Sequence, residues 1–459
     1  MENQLRNEKI SKLLFQLAIP AICGQIVTLL YNMVDRMYIG RLFDGALAMA
    51  AIGLCVPLTT IINAFNGLFG RGGAPLSSIS LGQGKRDEAD DILTTSFVCL
   101  IMTSLTITLI VLLFKDPILY LFGANQETIS YAREYISIYV LGTIFIQMTV
   151  GLNYFINTQG FTKFGMMTVL LGAGLNIILD PLFIYFFDMG IKGAALATIL
   201  SQAVSCMWVM SFFMGKKTLL HIRKNDLKIK WKILRKILSL GGSPFFMSST
   251  EGLLTISFNQ QLLTFGGTMA ISAMTIMTSM WQIVLLPIEG VAAGSQPIIS
   301  YNYGAKNCQR CRDTISLAMK VTCFYSLIIV AFMEIFPEVF VGLFTNDPKL
   351  LHLASQMLRI YIFGGCVMGI NSTCQQTYNS LGEGKMSFFF AFYRKIILLI
   401  PLIFILPLFL KNQMMAVILA EPISDLITTF TNVTYFKMKF IKNKLFMKKE
   451  EKQNVIKKI

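Results

Sequence analysis

The sequence predicts an all-α polytopic membrane protein with twelve transmembrane helices, arranged as two pseudo-symmetric six-helix bundles around a central cleft. Three observations lead to this prediction: long apolar runs, a bias in the placement of basic residues, and an internal repeat. The chain has 459 residues, of which 54% are hydrophobic and only 14% are charged, whereas soluble domains average about 25% charged residues. A water-soluble fold could not bury so many apolar runs.

The apolar runs predict the number of helices. A helix needs about 20 mostly apolar residues to cross roughly 30 Å of hydrocarbon, and a helix satisfies its own backbone polar groups in lipid. Charged residues cluster in short stretches between such runs. The predicted helices span residues 13–37, 46–69, 92–114, 131–156, 165–187, 190–213, 238–263, 268–291, 314–336, 352–378, 387–410 and 413–436.

Lysine and arginine placement predicts the orientation. In the tails, in the loops and at the helix ends, 29 basic residues fall on the side of the N-terminus and 7 on the other side. The positive-inside rule then places both termini in the cytoplasm. The net charge of +15 does not indicate nucleic-acid binding, because aromatic residues are not interleaved with these basic loops as they are on a nucleic-acid platform.

The chain repeats itself at a shift of about 220 residues. Residues 79–86 follow the second predicted helix, and the similar residues 299–306 follow the eighth. Each half holds an even number of helices, so the halves share one orientation and are related by an axis along the membrane normal. Paired bundles are typical of alternating-access transporters, whereas a channel would show repeated filter residues. The predicted regions are an N-terminal lobe 1–214, a basic cytoplasmic linker 215–237, a C-terminal lobe 238–436 and a basic cytoplasmic tail 437–459.

Five segments occur in an order that is specific to one transporter family: Tyr31–Gly40, Gly82–Lys85, Gly174–Pro181, Gly193–Ala195 and Ala420–Asp425. Through them the chain resembles the multidrug and toxic compound extrusion (MATE) family along nearly its whole length, and most closely its branch in low-GC Gram-positive bacteria. The resemblance implies secondary active antiport, in which organic cations or drugs leave the cell in exchange for Na⁺ or H⁺. We expect a monomer in the bacterial cytoplasmic membrane that has no cofactor and binds small-molecule cations, not nucleic acid.

Acidic residues at membrane depth are functional candidates, because charge is costly there. Asp35 lies roughly 6 Å below the outer end of the first predicted helix, and Asp180 roughly 10 Å from the outer end of the fifth. Asn176 shares a helix face with Asp180. We expect Asp35, Asp180, Asn176 and Asn153 to form the ion-coupling site, and the resemblance implies that the two aspartates align with acids that bind the coupling ion. Alternatively, Asp180 fills a backbone donor that a kink at Pro181 frees.

Four residues are predicted to line the substrate cleft: Tyr31, Met33, Tyr139 and Glu251. Glu251 lies near the middle of the seventh helix, and the resemblance implies that it matches an acid used by some relatives for cation binding. Aromatic and methionine side chains give the adaptable surface that promiscuous binders use, although most of them pack helices in any membrane protein.

Three further acids are secondary candidates in the second half. Glu289 lies near the predicted cytoplasmic end of the eighth helix, where solvation alone explains it. Glu421 and Asp425 lie four residues apart on one face of the twelfth helix, and Glu421 has a structural alternative as a cap or an ion-pair partner. The basic residues Arg394 and Lys395 are expected to extend to the cytoplasmic surface.

Two other functions compete with drug export. A lipid-linked oligosaccharide flippase of the same superfamily would also have paired bundles, but with more helices and a cationic cleft. A membrane-embedded enzyme lacks support, since the sequence has no His-Glu-x-x-His motif and no phosphate-binding loop. Cys308 and Cys311 lack further nearby ligands for a zinc site, so no metal is expected beyond Na⁺ at Asp35 and Asp180.

Overall fold

Helices account for all the regular structure in the part of the chain that the computed structural model describes, which comprises residues 2–40, 45–223 and 227–442. The α-helices are α1 Glu2–Asn7, α2 Ile10–Gly40, α3 Gly45–Asn66, α4 Gly72–Gly82, α5 Arg86–Leu121, α6 Ile129–Tyr139, α7 Thr143–Thr158, α8 Thr162–Pro181, α9 Gly190–Met214, α10 Trp231–Gly304, α11 Cys308–Ile335, α12 Pro337–Gly342, α13 Pro348–Ile362, α14 Gly365–Ser380, α15 Gly384–Phe392, α16 Ile400–Phe409 and α17 Gln413–Phe436. Turns of π-helix follow at Gly67–Arg71, Leu182–Phe186, Tyr393–Leu399 and Lys437–Lys442.

The number of membrane-crossing helices agrees with the predicted twelve. Within the described residues, ten helices are long and apolar enough to span a bilayer. One of them, α10, has 74 residues, which is about 110 Å of helix and far more than one crossing needs. It breaks at Gly267, whose φ of 66° and ψ of −164° belong to a backbone region that is essentially restricted to glycine. Counting α10 as two crossings, and the bent pair of α13 and α14 as one, gives twelve.

The second and eighth spans are longer than predicted. Helix continues past residue 69 through the π-turn to Gly82, and past residue 291 to Gly304. Glycines and serines in these stretches favour loops locally, but here they permit close packing. A Cβ added to Gly73 would lie 2.5 Å from Oγ of Ser96 and 2.6 Å from the ring of Phe155. The predicted ends were wrong because tertiary contacts extended both helices to equivalent positions of the repeat.

Cα packing divides the chain into two units. Ile19–Ser249 forms the body of the first, while Asn3–Ala18 packs with the residues from Thr250 onward in the second. The first turns of α2 and of α10 therefore belong to a different unit from the rest of those helices. The predicted lobes did not separate these turns, because helix periodicity carries no information about which partner a helix packs against.

In the first unit, the linker between the halves runs along the start of α5. The side-chain Oε1 of Gln159 accepts a hydrogen bond of 2.6 Å from the backbone N–H of Leu219. The Asp90 carboxylate accepts one of 2.8 Å from the N–H of His221, and Lys230 Nζ lies 2.7 Å from Asp91. The basic linker is thus held by acids at the start of a transmembrane helix.

In the second unit, the N-terminal segment is bound in a comparable way. Asn302 Nδ2 and Arg310 Nε each donate a hydrogen bond of 2.9 Å to the carbonyl oxygen of Leu5. Leu5 itself is buried. These contacts explain why residues 3–18 pack with the C-terminal half of the sequence.

Candidate functional site

Asp180 lies at the end of α8, where its side chain is fully buried. Its Oδ1 accepts a hydrogen bond of 3.1 Å from Nδ2 of Asn176, one turn earlier on the same face. Asn176 is also buried. The four-residue spacing therefore joins the two residues as the sequence predicts.

Asp35, from α2, reaches the same position. The carboxyl groups of Asp35 and Asp180 lie within hydrogen-bonding and electrostatic range of each other. Two ionised carboxylates this close repel strongly in a poorly screened environment, so the arrangement favours a shared proton or a bridging cation. Both ends of this pair belong to the first unit.

Three tyrosines surround the two aspartates. Tyr31 lies within electrostatic range of both carboxyl groups, and Tyr139 lies within range of Tyr31 and Asp35. Tyr135 stacks on Tyr139 with ring centroids 5.5 Å apart and also neighbours Asp35. Sequence reasoning identified Tyr31 and Tyr139 but missed Tyr135, although its position one turn before Tyr139 on α6 is a usable signal.

Pro181 explains the local backbone. Proline has no N–H and crowds the preceding turn, and the chain widens into π-helix over Leu182–Phe186 directly after it. The Asp180 carboxylate is engaged by the side chains of Asn176 and Asp35 rather than by a backbone group freed by the proline.

Two predicted residues lie apart from this cluster. Asn153 donates a hydrogen bond of 3.2 Å to the carbonyl of Gly165, and Gly165 precedes Asp180 by about 22 Å of helix rise. Asn153 thus contacts the start of α8, whereas Asp180 lies at the end of that helix, and a role for Asn153 in ion coupling stays a prediction. Met33 is an exposed side chain.

The second unit contains a separate charged cluster. Lys395 Nζ lies 2.6 Å from Oε2 of Glu251. Arg394 donates from Nη2 to Glu421 at 2.7 Å and from Nε to Asp425 at 2.6 Å. Glu421, Asp425 and Lys395 are buried. The expectation that Arg394 and Lys395 extend to the membrane surface was wrong, because two buried acids on α17 bind Arg394 and the more exposed Glu251 on α10 binds Lys395.

The backbone around these cations is π-helical. Tyr393–Leu399 forms a seven-residue stretch of π-helix just before Pro401 at the start of α16. A proline inside a span removes one backbone bond and crowds the turn before it, and π-turns are frequent at functional sites. Arg394 lies ten residues, roughly 15 Å, inside the span that begins at Gly384, and that depth was the signal that sequence reasoning underused.

Glu289 has a different position from the one predicted. It is exposed, but α10 continues for about 22 Å beyond it. It therefore does not lie at the end of a span. The error follows directly from the misplaced end of the eighth helix.

Among the described residues, no three His, Cys, Asp or Glu side chains converge as a metal-binding group. The aspartate pair supplies two carboxyl groups, one amide and nearby hydroxyls. Oxygen ligands of this kind suit Na⁺ or a proton rather than a transition metal.

Comparison with known proteins adds to the geometry. The sequence profile of the family described as MatE matches residues 20–182 and 245–405. The chain is similar to the multidrug export protein MepA of Staphylococcus haemolyticus, at 27% identity over 92% of this chain and 93% of that protein. Its fold resembles the crystal structure of MATE in the bent conformation, with a TM-score of 0.89, 24% identity and coverage of 95% and 97% of the two chains.

A further structure with the same fold comes from Pyrococcus furiosus. It is described as a MOP superfamily transporter whose binding pocket of reverse polarity suggests a different function, and it matches with a TM-score of 0.89, 23% identity and coverage of 97% and 98%. This second likeness concerns the fold alone, so the charges of the present chain are assessed from its own residues.

Proposed function

The chain belongs to the MATE family of transporters, and on this premise we propose that it exports organic cations, including drugs, in exchange for Na⁺ or H⁺ by alternating access. The relatives in staphylococci that carry the name multidrug export protein support this proposal, because they align over nearly the full length of both chains. The bacterial cytoplasmic membrane is the corresponding location.

The observation that carries the proposal is the close pair of carboxyl groups of Asp35 and Asp180, with Asn176 hydrogen-bonded to Asp180. The pair needs a proton or a metal cation to offset its charge. Binding and release of that ion change the charge of a buried site in the first unit. A change of this kind can drive transport if ion and cargo bind with opposing preferences, which is a coupling free energy between two ligands.

The residues around the pair also suit a cationic cargo. Carboxylates attract cations strongly in a poorly screened site, and tyrosine rings bind organic cations through their π-faces. Tyr31, Tyr135 and Tyr139 supply such rings beside the aspartates. No ATP-binding loop is present in the sequence, so an ion gradient is the proposed source of energy.

The flippase alternative requires a positive site for an anionic lipid-linked sugar. Arg394 and Lys395, two largely buried cations of the second unit, are both engaged by acids. Together with Glu251, Glu421 and Asp425, these two cations form a cluster of three acids and two bases, so its formal charge is negative. This balance favours a cation over an anion as cargo.

Efflux of ethidium from cells or proteoliposomes, with Na⁺ and pH gradients imposed separately, tests the proposed function. Asp35→Asn and Asp180→Asn should each abolish gradient-driven efflux at normal protein abundance, because neither amide can release a proton and both bind Na⁺ poorly. The matched control is Asp116→Asn, which alters an exposed acid paired with Arg133 and should pump normally. Parental efflux rates in both aspartate variants would refute the proposal.

A further inference from the structure

The ion pair of Lys395 and Glu251 is asymmetric. The side chain of Lys395 is 5% exposed, whereas that of Glu251 is 67% exposed. We propose that Lys395 is a built-in counter-cation, which occupies Glu251 until a cationic cargo displaces it, and that Lys395 thereby determines which cations the transporter accepts. This inference rests on the proposed function, since it concerns how a cationic cargo is bound.

The depth of Glu251 makes its exposure informative. It lies 16 residues before the break at Gly267, which is roughly 24 Å of helix, and 20 residues after the first residue of α10. A carboxylate at that depth is costly against lipid and faces water, cargo or protein instead. An exposed acid in the middle of a span is therefore accessible to a dissolved cation.

The two partners have different freedom to exchange. A ligand reaches Glu251 from its exposed side without passing Lys395. The Lys395 ammonium has no such access to water, because it is buried on the π-helical segment Tyr393–Leu399. A cargo cation and the Lys395 ammonium thus compete for the same carboxylate.

Lys395 also has a second acid nearby. Glu421 lies within electrostatic range of it, although Glu421 is hydrogen-bonded to Arg394. When a cargo cation takes Glu251, the buried ammonium therefore retains an acidic neighbour. This second acid makes displacement feasible, since a buried charge left without any partner is strongly destabilising.

The formal charges predict a preference among cargoes. Glu251, Glu421 and Asp425 face Arg394 and Lys395, so the cluster carries one net negative charge when all five are ionised. One monovalent cation neutralises it, while a dication leaves it positive. Removing the lysine charge changes this balance by one unit and should shift the preference towards dications.

The test uses the full-length protein in lipid nanodiscs and two probes, the monovalent tetraphenylphosphonium ion and a bis-quaternary ammonium dication. Lys395→Met removes the ammonium group that competes with the cargo. Glu251 remains charged, because its exposed side is solvated by water. We expect tetraphenylphosphonium to bind about tenfold more tightly by titration calorimetry, and the dication to gain more. Lys349→Met, an exposed lysine at the start of α13, should bind both probes like the parent protein.

Two further variants separate displacement from a structural effect. Lys395→Arg keeps the charge and should retain the parental affinity for both probes. The double variant Glu251→Gln with Lys395→Met should lose the gain in affinity, since the contested carboxylate is gone. If Lys395→Met does not fold, Lys395→Gln is measured in its place.

Each outcome decides a different claim. Unchanged or weaker binding by Lys395→Met, or a gain that survives the Glu251→Gln change, overturns the inference and leaves the proposed function standing. A parent protein that binds neither probe overturns the proposed function and the inference together. A gain in affinity that is equal for the two probes overturns the role of Lys395 in selecting cargo by charge.

Discussion

Asn176 and Asp180 are joined across one turn of α8 by a hydrogen bond of 3.1 Å, and both side chains are buried. The amide donates to the carboxylate, so Asn176 holds the acid in position beside Asp35. A hydrogen bond to a charged group contributes about 1.5–3 kcal/mol. Removing the Asn176 side chain should therefore cost a free energy of this order.

Replacing Asn176 by alanine should weaken Na⁺ binding by roughly 10- to 100-fold, because the Asp180 carboxylate loses the amide that holds it in position. The concentration of Na⁺ that gives half-maximal efflux measures the effect. Asn153→Ala is the matched amide control, since Asn153 bonds to Gly165 instead, and it should leave the half-maximal concentration unchanged. Equal effects of the two variants would contradict the assignment of Asn176.

Replacing Arg394 by leucine should destabilise the protein by about 3–5 kcal/mol, because it leaves Glu421 and Asp425 buried without their counter-charge. Thermal unfolding in detergent measures the loss. Adding Glu421→Gln and Asp425→Asn to the same chain should restore part of the stability, since no buried anion is then left unpaired. A triple variant no more stable than Arg394→Leu would show that packing rather than charge accounts for the loss.

Replacing Gly241 by alanine should lower the melting temperature by several degrees. The added methyl group would overlap the carbonyl of Leu68 in the neighbouring chain segment, and overpacking of this kind costs about 1–3 kcal/mol. Gly252, on the same helix, has no atom within 4 Å of its added Cβ. Gly252→Ala is therefore the control, and its melting temperature should stay at or above the parental value.

Cysteine labelling tests the predicted orientation. In a chain freed of its nine cysteines, Lys217→Cys in the basic linker should resist a membrane-impermeant maleimide in intact cells and react after lysis. Lys411→Cys, between α16 and α17, should react in intact cells. Both lysines are exposed, so access to the reagent depends on the side of the membrane. The reverse pattern would invert the topology.

The sequence alone determined the class of the protein, the number of its membrane crossings and its repeat. Hydrophobic runs, charged loops and repeated segments can be read directly from the sequence. Span length and loop charge are set by the bilayer and not by which helices pack together. The spacing of Asn176 and Asp180 was equally local, since residues four apart share a helix face. The prediction that Asp35 lies at a similar depth followed from helix rise alone.

Only the tertiary structure decided which charges meet. Arg394 and Lys395 looked like residues that extend to the membrane surface, yet they pair with acids 27 to 144 positions away in the chain. The helical ends at Gly82 and Gly304 depended on close packing that loop propensities oppose. The reason is the same in each case. A buried ion pair or a glycine contact is stable only when two distant helices are already packed together, and sequence periodicity does not specify which helices those are.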